Sequence, residues 1–228
     1  MDTVVFSSSR FEKVIRQMVG KDRSPITQDD LGAIETLYLD PFDGPIGDDV
    51  MLLKHFKNLK SLSIYIRQCD LPAICELDTL ENLEITLPDG VFDCSLLSKF
   101  SRLRFLGIYG ELFSQISIIN FGELAACNIL DEILIFESKT LDIRGISNIR
   151  SLKRLFIHVT HRLENPQEIK DIKLLEYLDF CDVSLESLDF LNDVSRDIRL
   201  ELCAVETEKP INMELIGEFH DKNITEMQ

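Results

Sequence analysis

The chain has 228 residues, 45 % of them hydrophobic, enough to bury a sizeable core in one elongated domain and too apolar for a disordered polymer. Forty acidic residues against 24 basic ones leave a formal charge of −16. Such a surface repels nucleic-acid backbones and anionic membranes and suits a protein partner, a basic one in particular.

The opening Met1-Asp2-Thr3-Val4-Val5-Phe6 has neither the basic start nor the long apolar run of a signal peptide. No apolar stretch approaches the roughly 18 residues of a membrane span. Residues 11–21 alternate apolar and polar positions at helical spacing, and Gly20 closes them. Thr27, with Asp30 three residues on, predicts a second helix start with a capping box. Asp29-Asp30 and Asp48-Asp49 then fall at helix starts, where solvated carboxylates favour the helix dipole.

From Leu31 onward one pattern recurs: an apolar residue, another three on, another three on, and a fourth two on. It reads Leu31-Ile34-Leu37-Leu39, Phe56-Leu59-Leu62-Ile64, Leu77-Leu80-Leu83-Ile85 and Phe100-Leu103-Leu106-Ile108. It continues as Cys127-Leu130-Ile133-Ile135, Ile149-Leu152-Leu155-Ile157, Ile172-Leu175-Leu178-Phe180 and Val194-Asp197-Leu200-Leu202. Of these 32 positions only Asp197 is not apolar, where composition alone gives about 14 apolar ones. The copies lie 21 to 27 residues apart, in the range of about 20–29 that marks leucine-rich repeats. The last two apolar residues of each copy point to one side of a short strand. Stacked copies share one core and place their strands in a parallel sheet. The expected fold is an α/β leucine-rich-repeat solenoid with a parallel concave sheet, short convex helices and an N-terminal helical cap. Its parts are a cap over residues 1–30, about eight repeats over 31–205, and a C-terminal cap or tail over 206–228.

Strands are expected near residues 36–40, 61–66, 82–87, 105–109, 132–136, 154–159, 177–181 and 199–203. Short convex turns are expected at 48–56, 95–100 and 166–172. The longer insert between Tyr109 and Cys127, apolar at Leu112, Phe113, Ile116, Ile118, Ile119, Phe121 and Leu124, predicts a fuller helix or a bulge. In the tail, Met213, Leu215, Ile216 and Phe219 are the expected contacts.

The order of helix, Gly20-Lys21, Ile26-Thr27, Asp30-Leu31 and first repeat resembles the N-terminal cap of internalin-like bacterial leucine-rich-repeat proteins. The resemblance covers roughly residues 6–205 and implies the solenoid fold and a binding role. In that family an asparagine commonly follows the strand by three residues. Here those positions hold Phe42, Arg67, Pro88, Glu111, Ser138, Thr160, Val183 and Val205.

Side chains between the core positions face the concave side in three columns. Stacking places Phe105, Tyr109, Leu134, Phe136, Phe156, His158 and Tyr177 beside one another, rimmed by Glu84, Glu132, Asp179, Glu201, Arg154 and Arg199. An exposed apolar patch with a charged rim marks an interaction site, and aromatic residues and arginine are common anchors. The candidate partner-binding residues are therefore Phe105, Tyr109, Leu134, Phe136, Phe156, His158, Tyr177, Arg154 and Glu132. The competing reading is that the rings only stabilise the sheet.

His158, Cys181 and Cys203 share a column, but the outer two sit about 10 Å apart, too far to close on one ion. No phosphate-cradling glycine loop, nucleophile elbow or zinc-protease motif occurs, so neither an enzyme nor a cofactor or metal site is expected. Six scattered cysteines without a Cys-x-x-Cys pair predict free thiols in a reducing compartment. The expected role is a cytoplasmic, bacterial protein-interaction module using the concave face. Alternatives are a neutralising, immunity-type binder of a basic protein, or a secreted adhesion module if a leader has been removed.

Overall fold

A computed structural model describes residues 2–40, 44–111, 113 and 115–223. Phe42 and Leu112 lie outside the described residues. Helix α1 (Ser9–Val19) starts where Ser8 Oγ accepts the Phe11 N–H and stops at left-handed Gly20. It buries Phe11 and Ile15, one helical turn apart on one face. Helix α2 (Gln28–Gly32) carries the expected Thr27/Asp30 capping box. Asp30 also takes the Lys21 ammonium at 2.7 Å. Asp48 and Asp49 fall in the first turn of a 3-10 helix as expected, and Asp48 is exposed, but the expectation of a solvated carboxylate is corrected for Asp49. Asp49 is only 2 % exposed, because its two carboxylate oxygens accept the Ser7 and Ser8 N–H groups, each at 2.7 Å. This carboxylate ties the start of α1 to the 3-10 helix Gly47–His55.

The strands are β1 (Thr36–Tyr38), β2 (Ser61–Tyr65), β3 (Asn82–Leu87), β4 (Val91–Asp93), β5 (Phe105–Gly110), β6 (Ser117–Ile119) and β7 (Glu132–Ser138). They continue as β8 (Thr140–Asp142), β9 (Arg154–Thr160), β10 (Leu163–Glu164), β11 (Tyr177–Leu185), β12 (Arg199–Cys203) and β13 (Glu206–Thr207). The long sheet runs β1-β2-β3-β5-β7-β9-β11-β12, and each neighbouring pair is parallel. Its register matches repeat to repeat, so Leu62, Leu83, Leu106, Ile133, Leu155, Leu178 and Leu200 form one row. Every apolar position of the eight copies is buried. Asp197 is exposed at the C-terminal edge, and its neighbour Ile198, 4 % exposed, is buried instead.

Two features of the long sheet were not anticipated. At the long-sheet strand entrances from β2 to β11, two successive N–H groups converge on one carbonyl of the preceding repeat, as Lys60 and Ser61 do on Glu35, and Asp131 and Glu132 on Arg104, and at β12 the Arg199 N–H bonds the Glu176 carbonyl. The residues supplying those carbonyls are Glu35, Lys60, Glu81, Arg104, Asp131, Lys153 and Glu176, whose charges alternate strictly. The ladder closes ion pairs at its ends, Glu35–Lys60 at 2.7 Å and Lys153–Glu176 at 3.1 Å. Exposed pairs are each worth little, but alternation removes like-charge neighbours from a chain that is strongly acidic. At the strand exits, Glu137, Val159, Asp182 and Ala204 adopt positive φ of 60°, 49°, 57° and 49°. Left-handed backbone is costly for such residues, for a β-branched valine above all. The bend turns Ser138, Thr160 and Val183 inward, to 1 % exposure each. Where the resemblance places asparagines, the Ser138 and Thr160 hydroxyls hydrogen-bond each other at 2.9 Å.

The bend feeds a second parallel sheet, β10-β8-β6-β4, which stacks Phe92, Ile118, Leu141 and Leu163 in register. Beyond it, 3-10 helices such as Cys94–Leu97, Pro166–Asp171 and Asp189–Asp193 cover the remaining side. Among the described residues the insert after Tyr109 holds no fuller helix. It forms β6 and the 3-10 helix Phe121–Ala126, with Ile116, Ile118, Phe121 and Leu124 buried while Phe113 and Ile119 stay exposed. A further short helix, α3 (Leu71–Ile74), follows β2. Helix α4 (Met213–Asn223) closes the described chain, with Leu215, Ile216 and Phe219 buried. The Arg196 guanidinium lies 4.6 Å from the Phe219 ring centre and 2.8 Å from the Glu218 carboxylate. Met213, expected as a contact, is 55 % exposed, since it precedes the face that packs. No helix of the described residues is long and apolar enough to cross a membrane.

Leu106 is fully buried in the middle of the stack. Leu106→Ala should cost about 2–5 kcal/mol in chemical denaturation, as a cavity that neighbouring repeats cannot close. Asp30 should report the cap. The Lys21 ammonium and the Thr27 N–H hold its carboxyl down, from 3.8 to about 2. A depressed folded value means its stabilisation is complete above the unfolded value and lost as pH falls through the folded one. Melting temperature followed from pH 4 to pH 2 should fall less steeply in Asp30→Asn than in the parent.

Candidate functional site

The side chains of the long sheet that point away from the core form an open face three columns wide. Phe105, Tyr109, Glu132, Leu134, Phe136, Phe156, His158 and Tyr177 are half-buried there, and Arg154 is exposed. The sheet brings these residues to one face, where the rings expected as an exposed patch are half-buried. Parallel register seats Tyr109 against Phe136, and Phe156 against His158 and Tyr177, so these rings shield one another. Among the described residues, the large apolar side chains most open to solvent are Phe113 at 87 % and Val5 at 81 %, both off the sheet.

Toward the C-terminal end, the Phe156 ring centre lies 5.0 Å from that of Tyr177 and 6.3 Å from that of His158. The Arg199 guanidinium sits 5.3 Å from the Tyr177 ring centre and pairs with Glu201. Burial, and a hydrogen bond to Glu201, push the Tyr177 hydroxyl far above its ordinary range. His158 Nε2 is 3.0 Å from the Asp179 carboxylate. Glu132 and Arg154 face each other across β7 and β9 at 2.5 Å. Phe105 stands in the same column as Glu132, in register with Asn82 and Glu132.

Toward the N-terminal end, Tyr109 and Phe136 pair at 6.3 Å and border a hollow of about 860 Å³. Its other walls include Tyr38, Tyr65, Glu84, Thr86 and Glu111. Gly107, in register between Glu84 and Leu134, lies buried beside the hollow under the Tyr109 ring. A Cβ on Gly107 would sit 2.7 Å from Cε2 of Tyr109, so the tyrosine ring folds back over the strand only because this residue has no side chain. Burial, with Glu84 the next cause, raises the Tyr109 hydroxyl to about 12. Tyr65 is raised too, by burial and by its hydrogen bond to the Glu111 carboxylate. The sequence reading missed this hollow. Glu84 was placed on the rim, and Gly107, over which the Tyr109 ring folds, was a gap in a column.

Cys181 is in register with both His158 and Cys203. Among the described residues no group of three or more His, Cys, Asp or Glu is arranged to hold a metal ion. Burial and the neighbouring Cys203 push the Cys181 thiol up to about 11. Cys94 and Cys127 are fully buried, with Cys127 raised to about 11 by that burial.

No protein-family model matches the chain, and no curated protein matches it in sequence. Solved structures do. Internalin C2 of Listeria monocytogenes is similar with a TM-score of 0.59 at 15 % identity, over 87 % of this chain and 97 % of that one. A leucine-rich-repeat protein of Leptospira interrogans is similar with a TM-score of 0.50 at 15 % identity, over 88 % and 62 %. The fold is that of an internalin-like leucine-rich-repeat solenoid.

Thiol reactivity follows from this placement. In the native protein a thiol reagent should label exposed Cys69 and Cys203 first, then half-buried Cys75 and Cys181. Buried Cys94 and Cys127 should react only on unfolding. Rapid labelling of Cys94 in the folded protein would contradict the packing.

Proposed function

We propose that this chain is a protein-interaction module that binds its partner through the open face of the long sheet. The observation that carries the reading is the row of pre-positioned rings and charges on that face. Phe156 is held between His158 and Tyr177, and Tyr177 in turn lies beside Arg199. Rings already fixed by their neighbours lose little freedom on binding, which lowers the cost of association. The sheet's interior strands satisfy one another's main chain, so recognition there falls to side chains. On the C-terminal part of this face Glu132 pairs with Arg154 and Glu201 with Arg199, and Asp179 is hydrogen-bonded to His158. That arrangement favours recognition over acid–base chemistry.

The test is Phe156→Ser combined with Tyr177→Ser, measured against a partner first fixed to the native protein by cross-linking and then purified. Neither residue is among the repeat's inward positions, so the melting temperature should change little. Affinity should fall by at least about 2 kcal/mol if both rings are anchors. The control is Leu174→Ser, which removes a side chain 50 % exposed elsewhere. Unchanged affinity in the ring variant, together with loss in the control, would place the interface on another face.

A further inference from the structure

We propose that the hollow at the N-terminal end of the open face receives an arginine side chain from the protein partner. The proposal deepens the functional reading above and rests on it. The hollow is bordered by four rings, Tyr38, Tyr65, Tyr109 and Phe136, and by the carboxylates of Glu84 and Glu111. No lysine or arginine is among its lining residues. Its volume, about 860 Å³, matches pockets that bury a substantial ligand, commonly about 300–1,000 Å³.

The charge distribution singles this place out. Elsewhere on the face the carboxylates sit beside cations or histidine: Glu132 beside Arg154, Glu201 beside Arg199 and Asp179 beside His158. Glu84 stands half-buried without a counter-ion among the described residues. Glu111 is occupied on one side by the Tyr65 hydroxyl, a neutral donor that leaves its charge uncompensated. A half-buried carboxylate flanked by rings is poorly solvated, and a cation brought to it gains more than one met in open water.

The rings select the kind of cation. A guanidinium is planar and weakly hydrated. It can lie on an aromatic face while its N–H fork reaches two acceptors. Gly107 lets the Tyr109 ring fold back over the strand, which sets that ring as a wall of the hollow. Tyr38, 63 % exposed, stands on the neighbouring strand wall. An acidic side chain would be repelled by Glu84 and Glu111. A neutral apolar one would bury Glu84 without compensation.

The protein supplies its own reporter. It has four tyrosines and no tryptophan, and three of the four line the hollow. The probe is the peptide acetyl-Gly-Arg-Gly-amide, with the same peptide carrying neutral citrulline as its comparison. Tyrosine emission should change saturably with the arginine peptide, which should bind at least about tenfold more tightly than the citrulline one. Glu84→Gln with Glu111→Gln should weaken the arginine peptide at least tenfold. Glu76→Gln with Glu123→Gln, which removes the same charge from exposed positions elsewhere, should leave it unchanged. Tyr38→Ala is a second variant that disturbs no packing, and it should weaken the peptide severalfold. The proposal is overturned if the parent protein does not bind the peptide, if citrulline binds equally, or if both glutamine pairs weaken binding alike. Should it be overturned while Phe156→Ser/Tyr177→Ser still loses the partner, the hollow alone is misread. Should the ring variant keep the partner while the peptide binds as expected, the interface is misplaced and the cation site stands.

Discussion

The structure depends on one constraint, the in-register stacking of inward side chains from repeat to repeat. No single repeat can bury its own apolar edge, so each strand is stable only because its Leu or Ile lies over the same position of its neighbours. The row from Leu62 through Leu106 and Ile133 to Leu200 is continuous, and each buried member contributes on the order of 1.5–3 kcal/mol before entropy is counted. Both ends of such a stack must be closed. Asp49 locks α1 at one end through two main-chain N–H groups, and α4 covers the other with Phe219 under Arg196.

Fixing the inward row also fixes everything outside it. Strand alternation sends the intervening residues to the opposite face, where the same register aligns them in columns. Like charges in a column would repel across neighbouring strands, and the chain avoids this in two places. The entrance residues alternate in sign from Glu35 to Glu176, and Glu132 meets Arg154 on the open face. The rings are held by the same geometry. They are half-buried because they lean on one another, and this makes them a pre-formed surface with little freedom left to lose. Around Glu84 and Glu111, at the other end, no lysine or arginine lines the hollow among the described residues.

Most of the fold was legible because the inward pattern has constant internal spacing. All eight strands of the long sheet begin where the pattern places them, and the capping box at Thr27 and Asp30 follows from two residues. The second sheet was not legible. Its inward residues Phe92, Ile118, Leu141 and Leu163 follow the strand cores Ile85, Ile108, Ile135 and Ile157 at differing distances, so no fixed spacing reveals them. Left-handed turns at Glu137 and Val159 were equally hidden, because neither residue type favours that backbone and tertiary packing overrides the preference. At the candidate site, the columns placed Tyr109, Phe136, Phe156 and Tyr177 on one face. Columns carry no information about how far a ring leans, and the fold-back of Tyr109 over Gly107 that shapes the hollow appears only in three dimensions.

The central claim is that inward residues hold the fold while their outward neighbours remain available for recognition. It is tested most directly by single serine substitutions along β7, at Ile133, Leu134, Ile135 and Phe136, with unfolding free energy as the readout. Ile133 and Ile135 are fully buried, whereas Leu134 and Phe136 are half-buried on the open face. The account predicts losses of about 2–5 kcal/mol or more at the two isoleucines and of roughly 1 kcal/mol or less at Leu134 and Phe136. Equal losses at all four positions would contradict it, because the open face would then be part of the core.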